Sequence, residues 1–214
     1  MNQTDRYSEP EIIERILHGE KALYEIIVRR FNPYLYKIGR SYNYTHEDTQ
    51  DLMQDTFVDA YKNLSQFEQR SSFKTWIIRI MMNNCYRKKE KLSFKNEQIQ
   101  EPDDSSMPMF SDRNTETERV VHNRELGNII EHALSKIPFE YRMAFSLREI
   151  NGLNVTEAAE LLNISEANVK VRLNRAKAML RNEIEKEYTA SELFEFNLIY
   201  CNAIVEYVMK KINE

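Results

Sequence analysis

Residues 155–180 read VTEAAELLNISEANVKVRLNRAKAML, and this stretch has the spacing that two short helices need to cross at a tight corner. Ala158 and Ala159 are small where the helices approach, Leu162 and Ile164 fill the corner, and Val169 and Leu173 face inward from the second helix. Asn163 falls at the turn, where left-handed backbone is needed and Asn tolerates it better than most residues. Ser165 caps the second helix and leaves Glu166, Ala167, Asn168, Lys170, Val171, Arg172 and Arg175 outward near its start. Ser165 to Arg175 therefore suit a major groove, where Asn pairs with adenine and Arg or Lys with guanine or phosphate. An ordinary helical hairpin with a solvated basic face has some of these features. The capped turn, the small pair and the basic face together favour DNA, without saying which class of DNA-binding factor this is.

The rest of the chain agrees with an all-α fold. Among 214 residues there are four glycines and five prolines against abundant Leu, Ile, Glu, Lys and Arg, which disfavours a turn-rich β protein. No run of about 18 apolar residues occurs and the N-terminus lacks a secretory pattern, so the expectation is a cytoplasmic protein. Cys85 and Cys201 are too few and too far apart for a disulfide framework, and both read as reduced. The net charge of −4 argues against a protein that coats free DNA, but its distribution is uneven. Between Arg79 and Lys95 six basic residues stand against Glu90 alone, and a second basic stretch runs from Lys170 to Arg181. The acidic segment Glu97–Glu118 separates them, so two DNA contacts on one chain are expected, with the acids screening the basic islands.

Periodicity divides the chain into two small helical domains. Apolar spacing gives two helices over Glu9–Phe31, broken at Gly19, and a third over Pro33–Tyr42. Thr45 caps a fourth helix that runs to about Leu64, and Ser71 or Ser72 starts a fifth that ends in the Lys/Arg cluster. These helices form a first domain, 1–92. Residues 93–118 read as a flexible acidic linker, 119–188 as a second domain containing the helix-turn-helix, and 189–214 as a C-terminal amphipathic helical extension. The extension's apolar stripe needs a cover, which is either the second domain or a regulator.

In the fourth helix Asp51, Gln54 and Asp55 share one polar face, with Leu52, Phe57 and Val58 as apolar contacts beside it. The stretch that follows, LSQFEQRSSFKTWIIRIMMNNCYRKKEK (residues 64–91), interleaves Phe67, Phe73 and Trp76 with Arg70, Ser71, Ser72 and Lys74. Arg79, Asn83, Asn84, Arg87 and Lys88 come next at helical spacing. Aromatics among cations and hydroxyls suit unstacked bases and their phosphates. Each aromatic also suits a core, and Trp76 fits that role beside Ile77, Ile80 and Met81.

The run DLMQDTF (51–57), the later FKTWIIRIMMNNCYRKK (73–89) and the stretch from Ser135 to Arg181 resemble, in this order, the two conserved regions of extracytoplasmic-function sigma factors. The resemblance covers about residues 20–92 and 120–185. It implies that Asp48, Asp51, Leu52, Gln54, Asp55 and Phe57 bind core RNA polymerase through the coiled coil of its β′ subunit, with the β subunit as a further contact. It implies that Phe67, Arg70, Ser71, Ser72, Phe73, Lys74, Trp76, Arg79, Asn83, Asn84, Arg87 and Lys88 melt and read the minus-ten promoter element. Ser165, Glu166, Ala167, Asn168, Lys170, Val171, Arg172 and Arg175 would read the minus-thirty-five duplex. Such a factor has no catalytic residue, cofactor, metal or small-molecule substrate, and is commonly held by an anti-sigma factor. Cys85, Tyr86, Arg87 and Lys88 stand where many relatives carry an aspartate-arginine pair, so promoter contacts there differ in detail. Two rivals are a stand-alone helix-turn-helix regulator that binds an operator without polymerase, and an enzyme. No sensor pocket is evident for the first, and for the second there is no Gly-rich phosphate loop, His-Glu-x-x-His or Gly-x-Ser-x-Gly motif.

Overall fold

Short-range capping sets where several helices begin. The Thr45 hydroxyl accepts a hydrogen bond from the Asp48 backbone N–H at 3.1 Å, and Ser72 Oγ accepts from the Thr75 N–H at 3.1 Å. In the computed structural model, which describes residues 7–94, 117–187 and 209–211, α1 spans Glu9–Leu17, α2 Tyr24–Ser41, α3 His46–Lys62 and α4 Phe73–Phe94. Then follow α5 Thr117–Lys136, α6 Phe139–Phe145 with a π-helical turn Ser146–Ile150, α7 Val155–Leu162 and α8 Glu166–Glu187. Every regular element among the described residues is helical, as the composition predicts. Most of the expected acidic linker and of the C-terminal extension lies outside the described residues.

One boundary differs from the reading of the sequence. Instead of breaking between Phe31 and Pro33, α2 runs straight through with Pro33 inside it. A mid-helix proline costs about 3 kcal/mol. Phe31, Leu35 and Ile38 are buried along one face across that position, and each contributes about 1.5–3 kcal/mol of burial. Packing on both sides outweighs the missing N–H.

Helices α2, α3 and α4 enclose a core of Ile27, Phe31, Leu35, Ile38, Tyr44, Phe73, Ile77 and Met81, closed below by Ile12 and Ile16 of α1. Gly39 lets α2 meet α3 closely, because a Cβ there would lie 2.5 Å from Thr49 Cγ2. Helix α8 packs on α5, α6 and α7 around Leu134, Met143, Ala158, Val169 and Ala176. Arg142, itself buried, donates to the carbonyls of Leu134 and Ser135 and closes the end of α5. Burial pulls its guanidinium down to about 10, which leaves it charged at neutral pH.

The two groups of helices are joined. Buried residues α1–α4 contribute and Met143, Leu147, Leu153, Ala158 and Val169 form one contiguous cluster. Beside it Arg40 Nε donates to Glu131 Oε1 at 2.5 Å, Ser41 Oγ donates to Ser146 Oγ at 2.6 Å, and the Tyr42 ring meets Phe139 edge-on at 4.9 Å. Among the described residues, no helix is long and apolar enough to cross a membrane.

Candidate nucleic-acid interface

The helix-turn-helix is built as its residues dictate. Asn154 and Glu157 make a capping box at the start of α7, with Glu157 N–H donating to Asn154 Oδ1 at 2.8 Å and Asn154 N–H to Glu157 Oε2 at 2.9 Å. Asn163 ends α7 in left-handed geometry, φ 51° and ψ 48°. Ser165 Oγ accepts from the Asn168 N–H at 3.2 Å and starts α8. Val169 and Ala176 turn into the core, while Glu166, Ala167, Asn168, Lys170, Val171 and Arg175 are exposed. Arg172 is half-buried and donates to Asn168 Oδ1 at 3.2 Å, which pre-orients both side chains. Thr156 donates to Glu166 at 2.7 Å, and Arg175 to the Tyr141 hydroxyl at 3.3 Å. The outward face thus carries amide, cationic and apolar groups, the last able to meet a thymine methyl.

The aromatic stretch before α4 forms a supported lip. Phe67, Phe73 and Trp76 lie with ring centroids 5.3 Å apart pairwise, and Phe73 reaches Phe31 at 5.2 Å. Phe67 and Trp76 are half-buried, whereas Phe73 is 2% exposed. Phe73 therefore offers no ring to a base and instead anchors the lip to the core. Arg70 is exposed and pairs with Glu68 at 2.5 Å. Ser71 is half-buried, and its Oγ donates weakly to the Ser72 carbonyl at 3.4 Å. Lys74 lies over the Tyr34 ring at 4.2 Å, a cation–π contact.

Along α4, Asn83 and Arg87 are exposed with Tyr86 between them at 57% exposure. Asn84 is a structural residue: it is buried and donates to Thr56 Oγ1 and Asp59 Oδ2, each at 3.2 Å. Lys88 pairs with Asp48, which joins the end of the basic stretch to α3. The Cys85 thiol is buried, and burial pushes its pKa up, so it stays protonated.

On α3 the exposed strip is Asp51, Gln54, Asp55 and Val58. Leu52 and Phe57 point the other way, into the core, so their part in any contact made by this helix is to hold it in place. Val58 is the apolar group that the strip presents.

Three residues outside the expected set stand among these groups. Thr75 and Glu157 meet across the two helical groups at 2.6 Å, and Tyr86 shares a face with Asn83 and Arg87. The i+3 spacing from Asn83 was the signal for Tyr86. Nothing local marks Thr75 and Glu157, which are 82 positions apart.

The sigma-70 region 2 family matches residues 27–94 and the sigma-70 region 4 family matches residues 127–180, together more than half of the chain. The ECF RNA polymerase sigma-E factor of Haemophilus influenzae is 26% identical over 185 residues, covering 85% of this chain and 97% of that relative. Among solved structures, CnrH in complex with the cytosolic domain of CnrY matches at a TM-score of 0.59 and 22% identity, over 83% of this chain and 97% of that one. The sigma factor RpoE from Bartonella quintana, in complex with the anti-sigma factor NepR, matches at 0.57 and 21%, over 73% and 92%. At those identities the two structures speak for the fold.

Proposed function

We propose, from the premise that this chain belongs to the extracytoplasmic-function group of the sigma-70 family, that it docks on core RNA polymerase and directs initiation at its own promoters. The observation that carries this reading is the presence of both matched regions, in order, with Asp51, Gln54, Asp55 and Val58 of α3 and the start of α8 exposed. The strip Asp51, Gln54, Asp55 and Val58 on α3 meets the β′ coiled coil, and the β subunit is a further contact. Opening the minus-ten element costs a few kcal/mol for an extruded base. Phe67 and Trp76 at the lip, with Arg70, Ser72, Lys74, Arg79, Asn83 and Arg87, offset that cost by stacking and phosphate contact. Helix α8 reads the minus-thirty-five duplex through Asn168, Lys170, Val171, Arg172 and Arg175.

The chain performs no bond-making step in this scheme, since polymerase carries out phosphoryl transfer. Differential binding to the opened promoter is its whole contribution. Its place of work is the cytoplasm, and an anti-sigma factor is the natural regulatory partner, as for the Bartonella relative.

Asp55→Arg tests the docking step, because it reverses charge on an exposed face without touching the core. In co-purification with core polymerase the variant should lose at least about 1.4 kcal/mol, or tenfold, of affinity with unchanged thermal unfolding. Full retention of polymerase by the variant would remove α3 as the docking element. Tight operator binding by the wild-type chain with no polymerase association would move it to the stand-alone regulators.

A further inference from the structure

Among the described side chains, Tyr86 is the only Phe, Tyr or Trp that lies mostly in water, at 57% exposure. Its company on α4 is set by register. Arg79, Asn83, Tyr86 and Glu90 fall within about 60° of arc on a helix of 3.6 residues per turn, and all four are exposed. Ile77, Ile78, Met81 and Cys85 are buried on the opposite side, which fixes α4 against rotation. Trp76, at the lip, lies beside the same stripe about 15 Å before Tyr86, at 1.5 Å per residue. The outward side of α4 therefore carries a second aromatic ring, well separated from the lip.

Glu90 is the one acid between Arg79 and Lys95. A carboxylate opposes DNA phosphates, so a face that only gripped the backbone of DNA has no use for it. Its partner is Tyr86, four residues earlier. The hydrogen bond to Glu90 and the charge of that carboxylate raise the Tyr86 pKa, so the phenol stays protonated and donates. Glu90 keeps further lone pairs for another donor. It lies one turn along from Tyr86 on the same face, beside the edge of a base stacked on the ring. Cytosine and adenine present an exocyclic amino group at that edge, whereas thymine and guanine present a carbonyl oxygen. The amino group donates to a carboxylate; the carbonyl oxygen is repelled by it.

We propose that Tyr86 and Glu90 form a base-selective contact: Tyr86 stacks on one unpaired promoter base and Glu90 accepts from its amino group, so that α4 takes cytosine or adenine there and refuses thymine or guanine. This rests on the reading that α4 faces the minus-ten element. The two residues divide the work. The ring supplies affinity that any base can use, and the carboxylate supplies the choice between amino and carbonyl bases.

The test loads the full chain on core polymerase, captures a pool of random-sequence single-stranded DNA of about 20 nucleotides, and sequences what is retained. The wild-type motif should contain one position at which C and A together exceed T and G at least about fivefold. Glu90→Gln, whose amide can also donate to a carbonyl oxygen, should bring that ratio within about twofold and leave the other positions unchanged. Tyr86→Ala should weaken binding of the enriched sequence at least about fivefold. Both residues are exposed, so thermal unfolding of either variant should match wild type. Glu14→Gln removes the same charge at an exposed position on α1 and should change neither motif nor affinity. A wild-type motif with no such position, a preference that survives Glu90→Gln or is lost equally in Glu14→Gln, or full affinity in Tyr86→Ala overturns the contact. The underlying reading fails separately: if the wild-type chain enriches no motif beyond core polymerase alone, the sigma reading falls and the contact with it. A motif that the wild type enriches and Glu90→Gln leaves intact removes the contact alone.

Discussion

Asn163 carries the corner of the helix-turn-helix on one backbone conformation, φ 51°. An L-residue with an ordinary Cβ pays about 1 kcal/mol there, whereas Gly does not. Asn163→Ala should therefore lower stability by about 1 kcal/mol in thermal unfolding, and Asn163→Gly should leave it within about 0.5 kcal/mol of wild type. Residues of this kind were legible in the sequence because their reasons are local. Thr45, Asn163 and Ser165 act within three or four positions, and the structure places each as the spacing predicts. Phe73 and Asn84 were not legible. Both stand among residues that suit DNA, but what α2 and α3 pack against them turns them inward.

At the scale of elements, apolar periodicity located the helices but misjudged α2, where a proline was read as a boundary. Burial along the whole face of a helix is a sum over many residues, and a single breaker loses to it. The same limit applies to α3: its spacing shows which residues share a face but not which face meets the core, so Leu52 and Phe57 were expected beside Asp51 and Asp55 in one contact. For α8 the expected outcome is specific. Arg172 is held by Asn168 and aimed from the outward face, so Arg172→Ala should cost about 1–3 kcal/mol on its cognate minus-thirty-five duplex and flatten sequence preference at one position. Lys170→Ala should instead weaken all duplexes alike and reduce the salt slope by about 1, as measured by anisotropy titrations at several salt concentrations.

At the scale of the molecule, the sequence told of two helical groups and two basic islands, but not of their contact. Arg40 and Glu131 are 91 positions apart and have no common period, so only the folded chain brings them together. Both are buried, at 4% and 8% exposure. Glu131→Ala would leave the Arg40 guanidinium without that carboxylate, at a cost of about 3–5 kcal/mol to the closed arrangement. The chain can avoid that cost by opening, which returns Arg40 to water. Small-angle scattering should accordingly show a larger radius of gyration for Glu131→Ala than for wild type, with helix content unchanged by circular dichroism. Most of the acidic segment expected to screen the basic islands lies outside the described residues. The partners seen for Lys88, Arg79 and Lys177 are Asp48, Glu160 and Glu149 on the helices themselves.

The measurement closest to the centre of this reading is run-off transcription by bacterial core polymerase, with and without the purified chain, from a library of promoter fragments. Transcripts that need both the chain and core polymerase, and that start only on a subset sharing two motifs about 25 base pairs apart, are the predicted result. Equal transcription with and without the chain, or an effect that needs no core polymerase, would contradict it.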